Sequence, residues 1–234
     1  MHTIGRVTCL TAIAALGLAA VASAQASDST SNQVSGMSAL GIAAMPQSRL
    51  LINNVPESIR GTWIGGAVRL YVDPIVIEGT VLTGDLNPAD GTVAFPRTAG
   101  ELRGFFRIET SRYFGIEGGY TLRAFDSPAG YQRWNIPMVG GRFATPLGTP
   151  ELEAFVRGAY MPGVKVSGQA TPKIAVQGEA GISVSPRKYP FVLLVNYRLE
   201  RYDLPTAASG TTRVEQFEQF QVGLGLALGR YSKP

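Results

Sequence analysis

The sequence predicts an all-β chain, an antiparallel up-and-down transmembrane β-barrel, and three observations carry that reading. From Arg60 onward apolar and polar residues alternate with period two, the pattern of strands whose two faces meet different surroundings. The alternating runs are mostly about ten to fourteen residues long, whereas soluble strands average five or six and a tilted membrane-crossing strand needs about nine to eleven. Charged residues make up only 16% of the chain and apolar ones 45%, against about a quarter charged in soluble domains.

The chain opens with an export signal. Arg6 supplies a basic n-region, Val7 to Val21 is small and apolar, and Ala22-Ser23-Ala24 offers a small-x-small cleavage site. Residues 1–24 are therefore expected to be removed, with a cut after Ala26 as the alternative. The apolar run is shorter than the roughly 20 residues of a spanning helix. The only His (His2) and the only Cys (Cys9) leave with it. A mature chain without either cannot form a disulfide, a His/Cys zinc site, or a Ser-His or Cys-His catalytic pair. No cofactor, no metal and no enzymatic activity are expected. The formal charge of +4 falls to about +3 without Arg6, and the basic residues are dispersed, so no nucleic-acid partner is expected.

Residues 25–59 are rich in Ser, Asn and Ala without a sustained period. They read as a flexible periplasmic leader, locally extended over Arg49–Val55. Residues 60–231 read as the barrel. In its first strand Ile64, Gly66, Val68, Leu70 and Val72 share a face opposite Arg69. Leu102, Gly104, Phe106 and Ile108 then oppose Arg103, Arg107 and Glu109. Phe114, Ile116, Gly118, Tyr120 and Leu122 oppose Glu117 and Arg123. Tyr131 to Phe143 is strand-like with an ambiguous face, Pro137 marking a bulge or an edge. Leu152, Ala154, Val156 and Tyr160 oppose Glu153 and Arg157. Ile174, Val176, Ala180, Ile182 and Val184 oppose Lys173, Gln177 and Glu179. Phe191, Leu193, Val195, Tyr197 and Leu199 oppose Asn196, Arg198 and Glu200. Phe220, Val222, Leu224, Leu226 and Leu228 close the series opposite Gln219 and Gln221.

The expected count is thus eight strands, or ten if Val76 to Leu82 contributes more. Short breaks at Ser111–Tyr113, Thr145–Pro150 and Pro186–Pro190 tend to alternate with longer ones, as periplasmic turns alternate with extracellular loops. An even count places both termini on the periplasmic side. Aromatics near strand ends, among them Trp63, Tyr113, Trp134, Tyr160 and Tyr202, fit interfacial girdles.

If the apolar faces meet lipid, the opposite faces fill the lumen. That places Arg69, Arg107, Arg123, Arg157 and Arg198 with Glu109, Glu117, Glu153, Glu179 and Glu200, five of each sign. A narrow barrel has room inside for little beyond side chains, and buried charges must pair. A packed, mutually satisfied, non-conducting core is the expectation; a narrow pore is the alternative.

The signal, the alternating strands and the last strand Val222-Gly-Leu-Gly-Leu-Ala-Leu-Gly-Arg-Tyr231 resemble the small outer-membrane β-barrel superfamily. The resemblance implies insertion into the outer membrane of a Gram-negative cell, with lipid and the barrel-assembly machinery as partners. A monomer is expected, and the resemblance selects no extracellular ligand. Ser232-Lys233-Pro234 displaces the terminal aromatic usual in that group. The expected role is envelope-structural or surface-interacting through the exposed loops.

Four other patterns point elsewhere and are weaker. Gly61-Thr62-Trp63 resembles the opening of lipocalins, which implies a periplasmic small-ligand carrier as the rival reading. Lipocalins, however, place apolar residues inside and add a helix after the last strand. Gly223-Leu-Gly225-Leu-Ala-Leu-Gly229 lacks the helix and acidic residue of a dinucleotide site. Asp85-Leu-Asn87-Pro-Ala-Asp90-Gly91 resembles a calcium loop, with Pro96 where the bidentate Glu belongs. Glu151 and Glu153 share a strand face with nothing to mark a glycosidase cleft.

Overall fold

The computed structural model describes residues 36–52, 55–89, 95–128, 130–186, 188–205 and 213–228. The expected signal over 1–24, leader residues 25–35 and the end of the chain from Gly229 to Pro234 lie outside them. Eleven strands follow in chain order: β1 (Gly36–Ile52), β2 (Val55–Val72), β3 (Ile75–Pro88), β4 (Arg97–Glu109), β5 (Phe114–Ser127), β6 (Gly130–Leu147), β7 (Thr149–Tyr160), β8 (Lys165–Val166), β9 (Ile174–Val184), β10 (Phe191–Asp203) and β11 (Arg213–Leu228). Ten of them close a barrel in chain order, with β1 pairing β11 and β5 pairing β6; every pairing is antiparallel. The two-residue β8 is an extra pairing on β6. Closure leaves no strand edge around the ring.

The count is ten rather than eight. The two additional strands lie where alternation is weakest. β1 falls within the stretch expected to be a flexible leader, so the barrel begins at Gly36 and not at Arg60. Its inward side is Ser38, Leu40, Ile42 and Ala44, while Ala39, Gly41 and Ala43 point outward. Apolar residues inside and very small ones outside cancel the period-two signal. β3 mixes likewise, with Val76, Leu82 and Leu86 buried on the same side as Glu78. Its tight link to β2 through Asp73-Pro74 makes the two strands a hairpin.

One end of the barrel gathers the short connectors 73–74, 110–113, 148 and 185–190, together with the first and last strand ends. Ser111 Oγ accepts from the amides of Tyr113 (3.3 Å) and Phe114 (3.1 Å), a hydroxyl-stabilised turn. Gly148, at φ 76°, turns the chain between β6 and β7 in a single left-handed residue. The connections from β1 to β2, β3 to β4, β5 to β6, β7 to β9 and β10 to β11 belong to the opposite end, and those from β3, β7 and β10 are the longer ones in sequence. Pro137 pairs with Tyr120 on β5. On its other side the ladder with β7 stops at Val139 and that with β8 starts at Asn135, so the proline occupies the gap, as its missing N–H allows.

Residue placement is inverted relative to a soluble barrel. Ile64 is 65% and Leu224 62% exposed on the outer wall, whereas Arg198 and Glu200 are each 1% exposed inside. This is the reverse of the lipocalin arrangement. Strand closure also depends on glycine at close approaches. A Cβ on Gly65 would sit 1.9 Å from the carbonyl oxygen of Val81, and one on Gly225 1.8 Å from that of Ala39. Gly65→Val is expected to lower folding stability by about 1–3 kcal/mol, read as the urea midpoint of the folded protein in detergent. An unchanged midpoint would show that β2 and β3 do not approach so closely.

Candidate functional site

The inward faces of the ten strands build one charged column. Among the described residues it brings together Arg69, Arg103, Arg107, Arg123, Arg142, Arg157 and Arg198 with Glu78, Glu101, Glu109, Glu117, Glu153, Glu179 and Glu200, seven of each sign. Alternation along each strand supplies the faces, and register sets which pairs meet.

Toward the short-connector end, Arg69 meets Glu78 at 2.9 Å. Arg107 meets Glu109 at 3.3 Å and Glu117 at 3.2 Å, and Arg142 meets Glu153 at 2.6 Å. Arg157 joins this layer to the next. It reaches Glu117 at 2.7 Å, Glu179 at 3.3 Å and Glu78 at 3.7 Å, residues of three other strands. Glu179 also accepts from Arg103 (3.2 Å) and Asn196 (2.8 Å). Nearer the loop end Arg123 contacts Glu101 (2.6 Å) and Glu200 (2.8 Å). Arg198 contacts the same two carboxylates at 2.7 and 3.4 Å and donates to Gln219.

Rings separate the charged layers. Phe105 lies beneath both Arg103 (4.2 Å) and Arg157 (4.5 Å), and Phe217 beneath Arg123 (3.8 Å). Planar guanidinium groups stack on rings while donating in their own plane, so one arginine serves both contacts. Above Phe217 stand Trp63 at 5.6 Å and, on the other side, the Trp134–Tyr202 edge contact at 4.9 Å. Tyr202 donates to Glu200 at 2.6 Å. The segment from Met161 folds inward here: Met161, Val164 and Val166 are buried, and β8 extends the β6 ladder at Trp134. A cup of about 80 Å³ remains at the loop end, over Phe125, Trp134, Tyr202 and Phe217 and walled by Arg97, Arg213, Glu57 and Glu215. A second cavity of about 20 Å³ lies beside Arg69, Glu78, Arg103 and Arg198. The smaller holds about one water and the larger a few. Among the described residues no group of three His, Cys, Asp or Glu side chains could hold a metal ion.

All ten sequence-derived lumen residues point inward. Arg107, Glu117, Arg123, Arg157, Glu179, Arg198 and Glu200 are buried, Arg69 and Glu109 half-buried, and Glu153 the most open. Four members were not in that set. Glu78 sits on β3, whose pattern is mixed, and Arg142 on β6, whose face is ambiguous in sequence. Glu101 starts the alternation of β4 one residue before Leu102. Arg103 was legible on the polar face of β4, and its burial would have named it.

No family model and no curated protein matches the chain in sequence. Among solved structures, it is similar to the outer membrane protease OmpT of Escherichia coli, with a TM-score of 0.51, 11% identity, and 87% of this chain and 99% of that one covered. The translocator domain of the autotransporter NalP of Neisseria meningitidis gives 0.47 at 12% identity over 97% and 98%. The β domain of the Bordetella autotransporter BrkA gives 0.48 at 12% over 80% and 98%. At such identities the likeness concerns fold alone: the chain has the closed antiparallel architecture of an outer-membrane β-barrel.

Proposed function

We propose that the protein is a non-enzymatic integral outer-membrane barrel with a packed, non-conducting lumen, acting in envelope structure or surface interaction through its loop end. The observation that carries this reading is the interlocked column of paired arginines and glutamates. Paired charges of both signs fill the section that a pore would keep open, and Arg123, Arg157 and Arg198 are each tied to two or more other strands. The apolar outer wall supports residence in lipid. The difference in connector length supports an orientation with the loop end outside the cell.

Recovery in the outer-membrane fraction with heat-modifiable migration on unboiled gels is expected. Recovery in a soluble periplasmic extract would instead return the carrier reading. In planar bilayers the purified barrel is expected to give no single-channel steps, and regular steps would favour the narrow pore. Orientation is testable because the mature chain carries no cysteine. Lys165→Cys, exposed beyond β7, is expected to react on intact cells with a membrane-impermeant maleimide. Labelling only after cell lysis would reverse the orientation. Incubation with a mixed peptide library should leave the peptides intact.

A further inference from the structure

We propose that the outer wall across β11, β1 and β2 is a seat for one phosphorylated, acylated lipid of the outer leaflet, lipid A, with an acyl chain lying in a groove below an arginine cluster. The inference rests on the outer-membrane location and orientation given above.

The groove exists because β1 is narrow on its outer side. Gly41 and Ala43 form a floor between Val222 and Leu224 of β11 and Ile64 of β2. The concavity, about 730 Å³, opens sideways onto the outer wall and its lining is almost wholly apolar. Outward glycines also occur at Gly79, Gly104, Gly118, Gly158 and Gly178, but here the small floor is flanked by Ile64, Val222 and Leu224, which gives the trough its walls.

The strands β1 and β2, with the neighbouring β10, carry cations above the trough, toward the loop end. Register places Arg201 of β10 opposite Gln216 of β11, and Gln216 opposite Arg49 of β1; Arg60 of β2 pairs with Gln47 one step lower. Arg49 and Arg201 are about half exposed, with Glu218 (3.4 Å) and Asp203 (2.9 Å) as their acidic neighbours. Such exposed pairs are weak and leave guanidinium donors for a phosphate, which arginine binds through two parallel hydrogen bonds. From Arg60 to Ile64 is four residues, about 13 Å along a strand. A chain attached beneath a phosphate at Arg60 therefore runs directly into the trough. Cationic cluster and apolar trough on one set of strands match a lipid that carries phosphate and acyl chain together.

The test uses the mature chain folded in dodecyl maltoside, with bound lipid counted by native mass spectrometry. Lipid A is expected to be retained as a single copy at concentrations where phosphatidylethanolamine is not. Arg49→Ala and Arg60→Ala should each weaken retention about fivefold. The double variant Gly41→Leu/Ala43→Leu should abolish the preference for lipid A. Gly41 tolerates it, since a Cβ there meets only the Leu224 carbonyl at 3.8 Å, and heat-modifiable migration reports that the barrel is folded. Unchanged retention by the filled variant, or equal retention of dephosphorylated lipid A, would overturn the proposal. So would a protein dimer in place of the lipid, lost on filling the trough, which would assign the face to a second copy. Because binding is read in detergent, it is separable from cell fractionation, which alone judges the outer-membrane reading.

Discussion

Arg157→Met should be among the most damaging single substitutions in the lumen, lowering folding stability by about 3–5 kcal/mol. Arg157 is the only described arginine that contacts glutamates of three other strands, Glu78, Glu117 and Glu179. Removing it leaves those carboxylates close together, with Glu117 and Glu179 buried and less positive charge to hold them. Packing loss is small, because methionine follows the arginine stem over Phe105. The measurement is the urea midpoint in detergent beside the unboiled gel shift. A second substitution, Glu117→Gln in the same background, should recover part of the loss, since it removes one of the stranded charges. An Arg157→Met barrel as stable as the parent would mean that water already solvates this layer, and the packed-lumen reading would then fail.

Val156→Arg addresses the other face of the same strand. Val156 is 52% exposed on the outer wall. In a soluble barrel a charge there would be nearly neutral. In a bilayer it is expected to cost about 2–4 kcal/mol near the midplane, less toward either interface. Refolding yield and urea midpoint in phospholipid vesicles should drop, while the same variant in detergent suffers much less. Equal behaviour in the two media would show that this wall does not face lipid. The two substitutions, one residue apart, therefore report on lumen and membrane separately.

How far the sequence reaches follows from what alternation can report. Period two is visible when one face is consistently apolar and the other polar or charged. β4, β5, β7, β9, β10 and the later part of β11 satisfy that, and their charged residues were legible as a lumen set. β1 does not, because its inward Leu40 and Ile42 and outward Gly41 and Ala43 put no charge on either face. β3 hides Glu78 among apolar neighbours. Those are the two strands that turn an expected eight into ten.

The sequence by itself determined that this is a long-stranded β-chain with lipid-suited outer faces, an arginine–glutamate interior, and no histidine or cysteine after Cys9. These are local properties, set by residue type and spacing along each strand. Only the tertiary structure decided the strand number, because closure depends on which segments find a partner and not on their own periodicity. Only it decided who pairs with whom: Arg198 reaches Glu101 across the barrel and Arg157 reaches Glu78, partners distant in the chain that shear and curvature bring together. The physical reason is the same in both cases. Hydrogen-bonded closure and charge neutralisation are conditions on the whole ring, and no single strand contains the information to satisfy them.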